Sequence, residues 1–176
     1  MRRILWLDEL GREDVAEAGG KGANLGELTR AGFPVPGGFV VAANAYLESM
    51  AAGGVRDQLA EWTPDPTPTT ALDRQELVRK AGLTSEVRAE VDAAYADLAR
   101  RLGEDSPAVA VRSSATAEDA ADTSFAGMNK TFTNVRGADH LADAVLEAWA
   151  SLFGERVMGY RAAHHLVDEP AMAVVV

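Results

Sequence analysis

The stretch "GGKGANLGELTRAGFPVPGGFVV", Gly19 to Val41, holds most of the grammar of the fold. Glycines surround one lysine and run straight into helix-forming residues. A helix is predicted from about Ala23 to Ala31, with Leu25 and Leu28 on one side and Gly32 placed to end it. Two prolines and two glycines then make an extended turn, which finishes as a strand at Phe39–Val41. Helix and strand alternating at this spacing point to an α/β (α+β) domain with a small mixed sheet and flanking helices.

The rest of the chain follows suit. "ILWL", Ile4 to Leu7, reads as a short buried strand. "AANAYLESMAA" reads as a helix stopped by Gly53 and Gly54. "EWTPDPTPTTALD" has three prolines among polar residues, so residues 63–71 are expected to be an exposed Pro-rich loop open to nicking. A helix is expected after it, around Asp73 to Ala81. From Ser85 to Leu102, Val87, Val91, Ala94, Leu98 and Leu102 keep helical spacing with charges between them. "PAVAVRSS" is a buried strand ending near Arg112, and "KTFTNV" alternates like another. Ala138 to Phe153 is amphipathic, and Glu155 to His165 continues as a further helix. "AMAVVV" is a buried strand that needs a partner, which suggests a fragment of something larger.

The chain has 176 residues, 47% hydrophobic and 25% charged, which suits one globular domain. A net charge of -10 argues against nucleic-acid and acidic-membrane binding, because phosphate backbones repel such a surface. A local basic cleft can still bind a small anion. With no cysteine, disulfides, thiolate zinc sites and cysteine nucleophiles are excluded. The apolar run at the start is too short for a signal peptide, and no stretch approaches the ~20 apolar residues of a membrane helix. The reading is a soluble cytoplasmic protein.

Three segments carry candidate chemistry. Around Lys21 a Walker A loop would want glycine at position 15 and Ser or Thr after the lysine, but Val15 and Gly22 stand there. The dinucleotide pattern fails too, since Leu25 replaces the third glycine. What remains is a flexible glycine approach, the positive end of a helix and a mobile cation, a combination that suits an oligophosphate. The plainer reading is a turn into an ordinary helix. In "AVAVRSSATAED", Ala108 to Asp119, the sheet holds Arg112, whose planar fork suits a phosphate. Ser113, Ser114 and Thr116 supply further donors, and the competing reading pairs Arg112 with Glu118 or Asp119. In "DTSFAGMNKTFTNV", Asp122 to Val135, small residues around Gly127 let backbone N–H groups face a ligand, or simply turn a hairpin.

Taken together, "GGKGANLGEL..AGFPVPGGFVV", "AVRSSATAED", "SFAG...TFTNV" and "WASLFGERVMGYR" resemble, in order and spacing, the N-terminal nucleotide-binding domain of the phosphoenolpyruvate synthase, pyruvate phosphate dikinase and rifampin phosphotransferase superfamily. The resemblance covers nearly the whole chain except the Pro-rich segment. It implies the N-terminal half of an ATP-grasp-like domain in which ATP lies between two halves. It implies that Lys21 and Arg112 contact the ATP phosphates and that Gly127 and Thr131 belong to a loop closing over them; Thr116, a donor close to Arg112 in sequence, joins them as a candidate ATP-binding residue. It implies transfer of the β-phosphate to a histidine on a swivelling domain and on to pyruvate or a drug hydroxyl. Mg²⁺ ligands are expected in a missing C-terminal half, and the partners are that half, the phosphohistidine domain and an acceptor domain. His140, His164 and His165 lack the phosphocarrier context and are expected on helix surfaces. Where most resembling proteins carry Gln-Gln and an acid, this chain has Met128, Asn129 and Lys130, which bears on the phosphate acceptor. The alternative is a stand-alone, non-catalytic nucleotide-binding or regulatory module on the same scaffold.

Overall fold

The computed structural model describes residues 2–116 and 130–176. Five strands form one sheet: β1 (Ile4–Trp6), β2 (Phe39–Val41), β3 (Val109–Ala115), β4 (Thr131–Val135) and β5 (Met172–Val175), in the order β1-β2-β5-β3-β4. Each of the four pairings is antiparallel, so the sheet is antiparallel where a mixed one was expected. The strand nearest the C-terminus lies in the middle, hydrogen-bonded to β2 on one side and β3 on the other. That position answers why "AMAVVV" is apolar throughout: a strand covered on both faces reads as a continuous hydrophobic run.

The two faces are distinct. On one, Phe39, Val41, Val109, Val111, Ala115, Met172 and Val174 join the larger core. This core is built with α2 (Ala43–Ala52), α3 (Arg56–Ala60), α4 (Pro68–Ala81), α5 (Ser85–Leu102), α6 (Ala138–Ala150) and α7 (Glu155–Ala163). Trp149 at its centre is fully buried and meets Tyr46 edge to face, ring centroids 5.7 Å apart. On the other face Leu5, Val40, Ala173 and Val175 pack with Leu7, Leu10 and Ala18 under α1 (Val15–Arg30).

Helix α1 differs most from expectation. It starts at Val15, eight residues early, and runs through the glycines with one break at Gly19 (φ 67°, ψ 168°). The buried residues are Ala18, Gly19, Gly20, Gly22, Ala23 and Gly26, while Leu28 is exposed. The glycines therefore form the packing face. A Cβ on Gly22 would sit 3.1 Å from Val40 and one on Gly26 only 2.6 Å from the Leu10 carbonyl. Removing side chains lets the helix lie closer to the sheet than an alanine or leucine stripe allows.

Helix α4 begins at Pro68, not near Asp73, which leaves 61–67 as the irregular stretch. Thr67 accepts a hydrogen bond from the Thr70 amide, and proline at the first helical position needs no donor, so Thr67-Pro68 starts a helix instead of preventing one. Helix α5 has the expected span; Thr84 caps its start and Gly103, in the left-handed region, its end. No helix among the described residues is long and apolar enough to cross a membrane.

Candidate phosphate-facing site

The site is organised by three consecutive residues of β3. Strand residues alternate between faces, so Arg112 and Ser114 point one way and Ser113 the other. The register fixes which: Arg112 opposes Val175 and Ser114 opposes Ala173, both in the core beneath α1. Arg112 and Ser114 thus lie on the α1 face, about 7 Å apart along the strand. Thr131 opposes Arg112 across the β3–β4 pair and shares that face.

Ser114 is fully buried and meets the break in α1. Its Oγ accepts hydrogen bonds from the amides of Lys21 (3.1 Å) and Gly22 (3.4 Å) and donates to the Ala18 carbonyl (3.0 Å). Gly19 must be glycine for this contact, because a Cβ there would come within 2.3 Å of the Ser114 Oγ and 2.4 Å of its carbonyl. The positive φ of Gly19 restarts the helix at Gly20, and Ser114 takes the place of an N-cap side chain supplied from the neighbouring strand. Lys21, on the restarted first turn, is held over the strand that carries Arg112.

Two expectations change here. Ser114 was read as a donor toward a ligand, but its hydrogen bonds go to the α1 backbone. The helix also restarts earlier than expected, at Gly20, and the Lys21 and Gly22 amides of its first turn are bound by Ser114. Ser113 performs a similar task on the opposite face: it accepts from the Lys130 amide (2.9 Å), and its own amide donates to the Lys130 carbonyl (3.0 Å). Sequence spacing marks these serines as polar but gives no sign that Ser114 joins an element 93 residues away and Ser113 one 17 residues away.

Arg112 is exposed. The competing pairing with Glu118 or Asp119 lies outside the described residues, as do Gly127, Met128 and Asn129. Arg3, Arg56, Arg79 and Arg88 each grip a carboxylate. Thr116 directly follows β3 with its hydroxyl 3.5 Å from the Ala171 carbonyl, and Thr131 opens β4 exposed. Lys130 precedes Thr131 and acts electrostatically on Glu147 of α6. Glu147 also receives the Arg79 guanidinium at 2.6 and 3.0 Å, which lowers its pKa below the usual carboxylate value. Lys130 therefore stands in the field of an acid of α6, on the far face from Arg112.

The three histidines are exposed. His140 bonds the Arg136 carbonyl through Nδ1 (2.9 Å), His164 stacks obliquely on Tyr160 and His165 on Trp62. Among the described residues no three His, Asp or Glu side chains gather as a metal site. None is therefore assigned to Mg²⁺.

Comparisons with known proteins give the family. The family model described as pyruvate phosphate dikinase, AMP/ATP-binding domain, matches residues 15–176. A probable phosphoenolpyruvate synthase of Methanothermobacter thermautotrophicus is 42% identical over 168 residues, covering 92% of this chain and 25% of that protein. The phosphoenolpyruvate synthase of Aeropyrum pernix is 40% identical across 99% of this chain and 22% of its own length. That of Pseudomonas aeruginosa is 41% identical across 97% and 23%. The chain spans about a quarter of the length of these relatives.

Proposed function

We propose that this chain, which belongs to the pyruvate phosphate dikinase AMP/ATP-binding domain family, holds the phosphates of ATP for a phosphotransferase of the phosphoenolpyruvate synthase kind. The observation that supports this reading is the seating of the α1 restart on Ser114, which sets the Lys21 backbone against the face of β3 that Arg112 shares by register.

The chemistry follows from the residue types. Lys21 supplies an ammonium and Arg112 a planar, permanently charged fork, and the two together neutralise an oligophosphate from different angles. Thr131, beside Arg112, and Thr116, directly after the same strand, offer hydroxyl donors, and Gly127 belongs to the loop that covers the phosphates. Phosphoryl transfer asks a protein for positioning and charge stabilisation more than for covalent chemistry, which is what such a set provides.

In this reading the domain is half of an ATP-grasp-like unit in a cytoplasmic enzyme. A second half completes the adenine site and holds Mg²⁺. A histidine on a separate domain receives the β-phosphate and passes it to pyruvate or to a drug hydroxyl. The chain alone binds ATP weakly and transfers nothing. Calorimetric titration with Mg-ATP tests this: millimolar or weaker binding to the 176-residue chain, tight binding to a longer polypeptide carrying it, and loss of the tight binding in Lys21→Ala and Arg112→Ala. Tight binding insensitive to both substitutions overturns the reading.

A further inference from the structure

The ATP reading names two cations but leaves open what keeps them in register, since one is on a helix and the other on a strand ninety-one residues later. We infer that Ser114 is a positioning residue for nucleotide binding: its hydroxyl locks the first turn of the restarted α1 to β3 and so sets the spacing between Lys21 and Arg112. This inference rests on the phosphate-binding reading of Lys21.

The geometry leaves the Ser114 hydroxyl little other purpose. It is fully buried, so it has no exchange with solvent. It accepts from two α1 amides and donates to one α1 carbonyl, which uses its one proton and both lone pairs on a single target. All three partners flank Gly19, the single point where the helix departs from helical dihedrals. A helix bent at Gly19 could pivot there. With Ser114 bonded on both sides of the bend, to Ala18 before it and to Lys21 and Gly22 after it, the angle is fixed from outside. Gly19 contributes by absence, since any Cβ would fill the space the Ser114 oxygens occupy.

A second consequence concerns how phosphate is held. Helix N-termini commonly bind anions through free amides. Here Ser114 occupies the Lys21 and Gly22 amides, so the side chains of Lys21 and Arg112 carry the charge recognition. Their affinity then depends on mutual placement, which is the quantity Ser114 controls.

The test is a double-mutant cycle in the full-length protein, read as the dissociation constant of Mg-ATP. Ser114→Ala alone is expected to weaken binding about tenfold, the scale of one or two misplaced charge-assisted hydrogen bonds. Lys21→Met alone weakens it at least as much. The combination Lys21→Met with Ser114→Ala binds no worse than Lys21→Met, because Ser114 acts through Lys21. Ser114→Cys keeps the volume but not a strong acceptor, and it supplies the same cycle where the alanine variant does not fold.

Amide hydrogen exchange gives a second readout, with Lys21 and Gly22 losing protection in Ser114→Ala or Ser114→Cys. If Lys21→Met leaves ATP affinity unchanged, the phosphate reading itself falls. If Lys21→Met weakens binding while the serine effect is absent, or adds in full to it, the phosphate reading stands and the positioning role is overturned.

Discussion

Gly19→Ala tests the join between helix and strand without touching a charged group. Gly19 has φ 67° and ψ 168°, a combination open almost only to glycine. Placing alanine there costs about 1–3 kcal/mol in backbone strain. The new Cβ also meets the Ser114 Oγ at 2.3 Å, its carbonyl oxygen at 2.4 Å and its carbonyl carbon at 2.7 Å. Two of these are backbone atoms in the middle of a five-stranded sheet, so the helix must move, and overpacking of this kind costs roughly another 1–3 kcal/mol. The sum, about 2–6 kcal/mol, corresponds to a fall in Tm on the order of 10 °C for a domain of this size. Gly32→Ala is the control: Gly32 also has a positive φ, 78°, but nothing lies within 4 Å of the Cβ position. It should lose only about 1–2 kcal/mol, the left-handed strain alone. Urea denaturation of the two variants beside the wild type measures the difference. Equal losses at both positions refute the close approach of Ser114 to α1.

Other expectations concern the larger core and the surface. Trp149→Ala removes the fully buried centre of that core and should destabilise by about 3–5 kcal/mol in the same urea assay. Asn44, at the start of α2, has both amide atoms buried without a hydrogen-bond partner. Asn44→Ala should therefore raise stability by about 1 kcal/mol, through relief of the unpaired buried amide together with alanine's higher helix propensity. The carboxyls of Glu147 and Glu169 are held below the usual value first by hydrogen bonds from Arg79 and Arg56. A depressed folded-state pKa contributes stability above the unfolded value, and that contribution disappears as pH falls through the folded value. The advantage of wild type over Arg79→Ala should be at most about 1 kcal/mol at neutral pH, because both side chains are some two-fifths exposed. It should decline as pH falls below the unfolded carboxyl value of about 4.3 and be gone once pH is below the depressed folded value.

What was legible in the sequence was local. The apolar runs at Ile4–Trp6, Phe39–Val41, Val109–Ala115 and Met172–Val175 are strands because each can be covered on at least one face. Helix α5 matched because its apolar spacing and both caps agree. The start of α1 is hidden by its glycines, which break helices more often than they build them. Gly19, Gly22 and Gly26 recur at three- and four-residue steps, which is the spacing of a close-packing helical face, and that signal was present. The start of α4 is hidden by the prolines, which mask the Thr67 cap in a local reading. The sheet order was not legible, since inserting β5 between β2 and β3 is a choice made by contacts more than fifty residues apart in sequence. At the site, Lys21 and Arg112 stood out by charge and by motif. Ser114 did not, because a serine beside an arginine looks like another ligand donor until the helix it holds is placed against it.

The account stands on Lys21 and Arg112 sharing one anion. The most direct measurement is a crystal structure of the full-length protein with a non-hydrolysable ATP analogue and Mg²⁺. The account predicts the Lys21 ammonium and the Arg112 guanidinium both within hydrogen-bond distance of the triphosphate, with Ser114 still bonded to the Lys21 amide. A triphosphate bound elsewhere, or touching only one of the two cations, contradicts it.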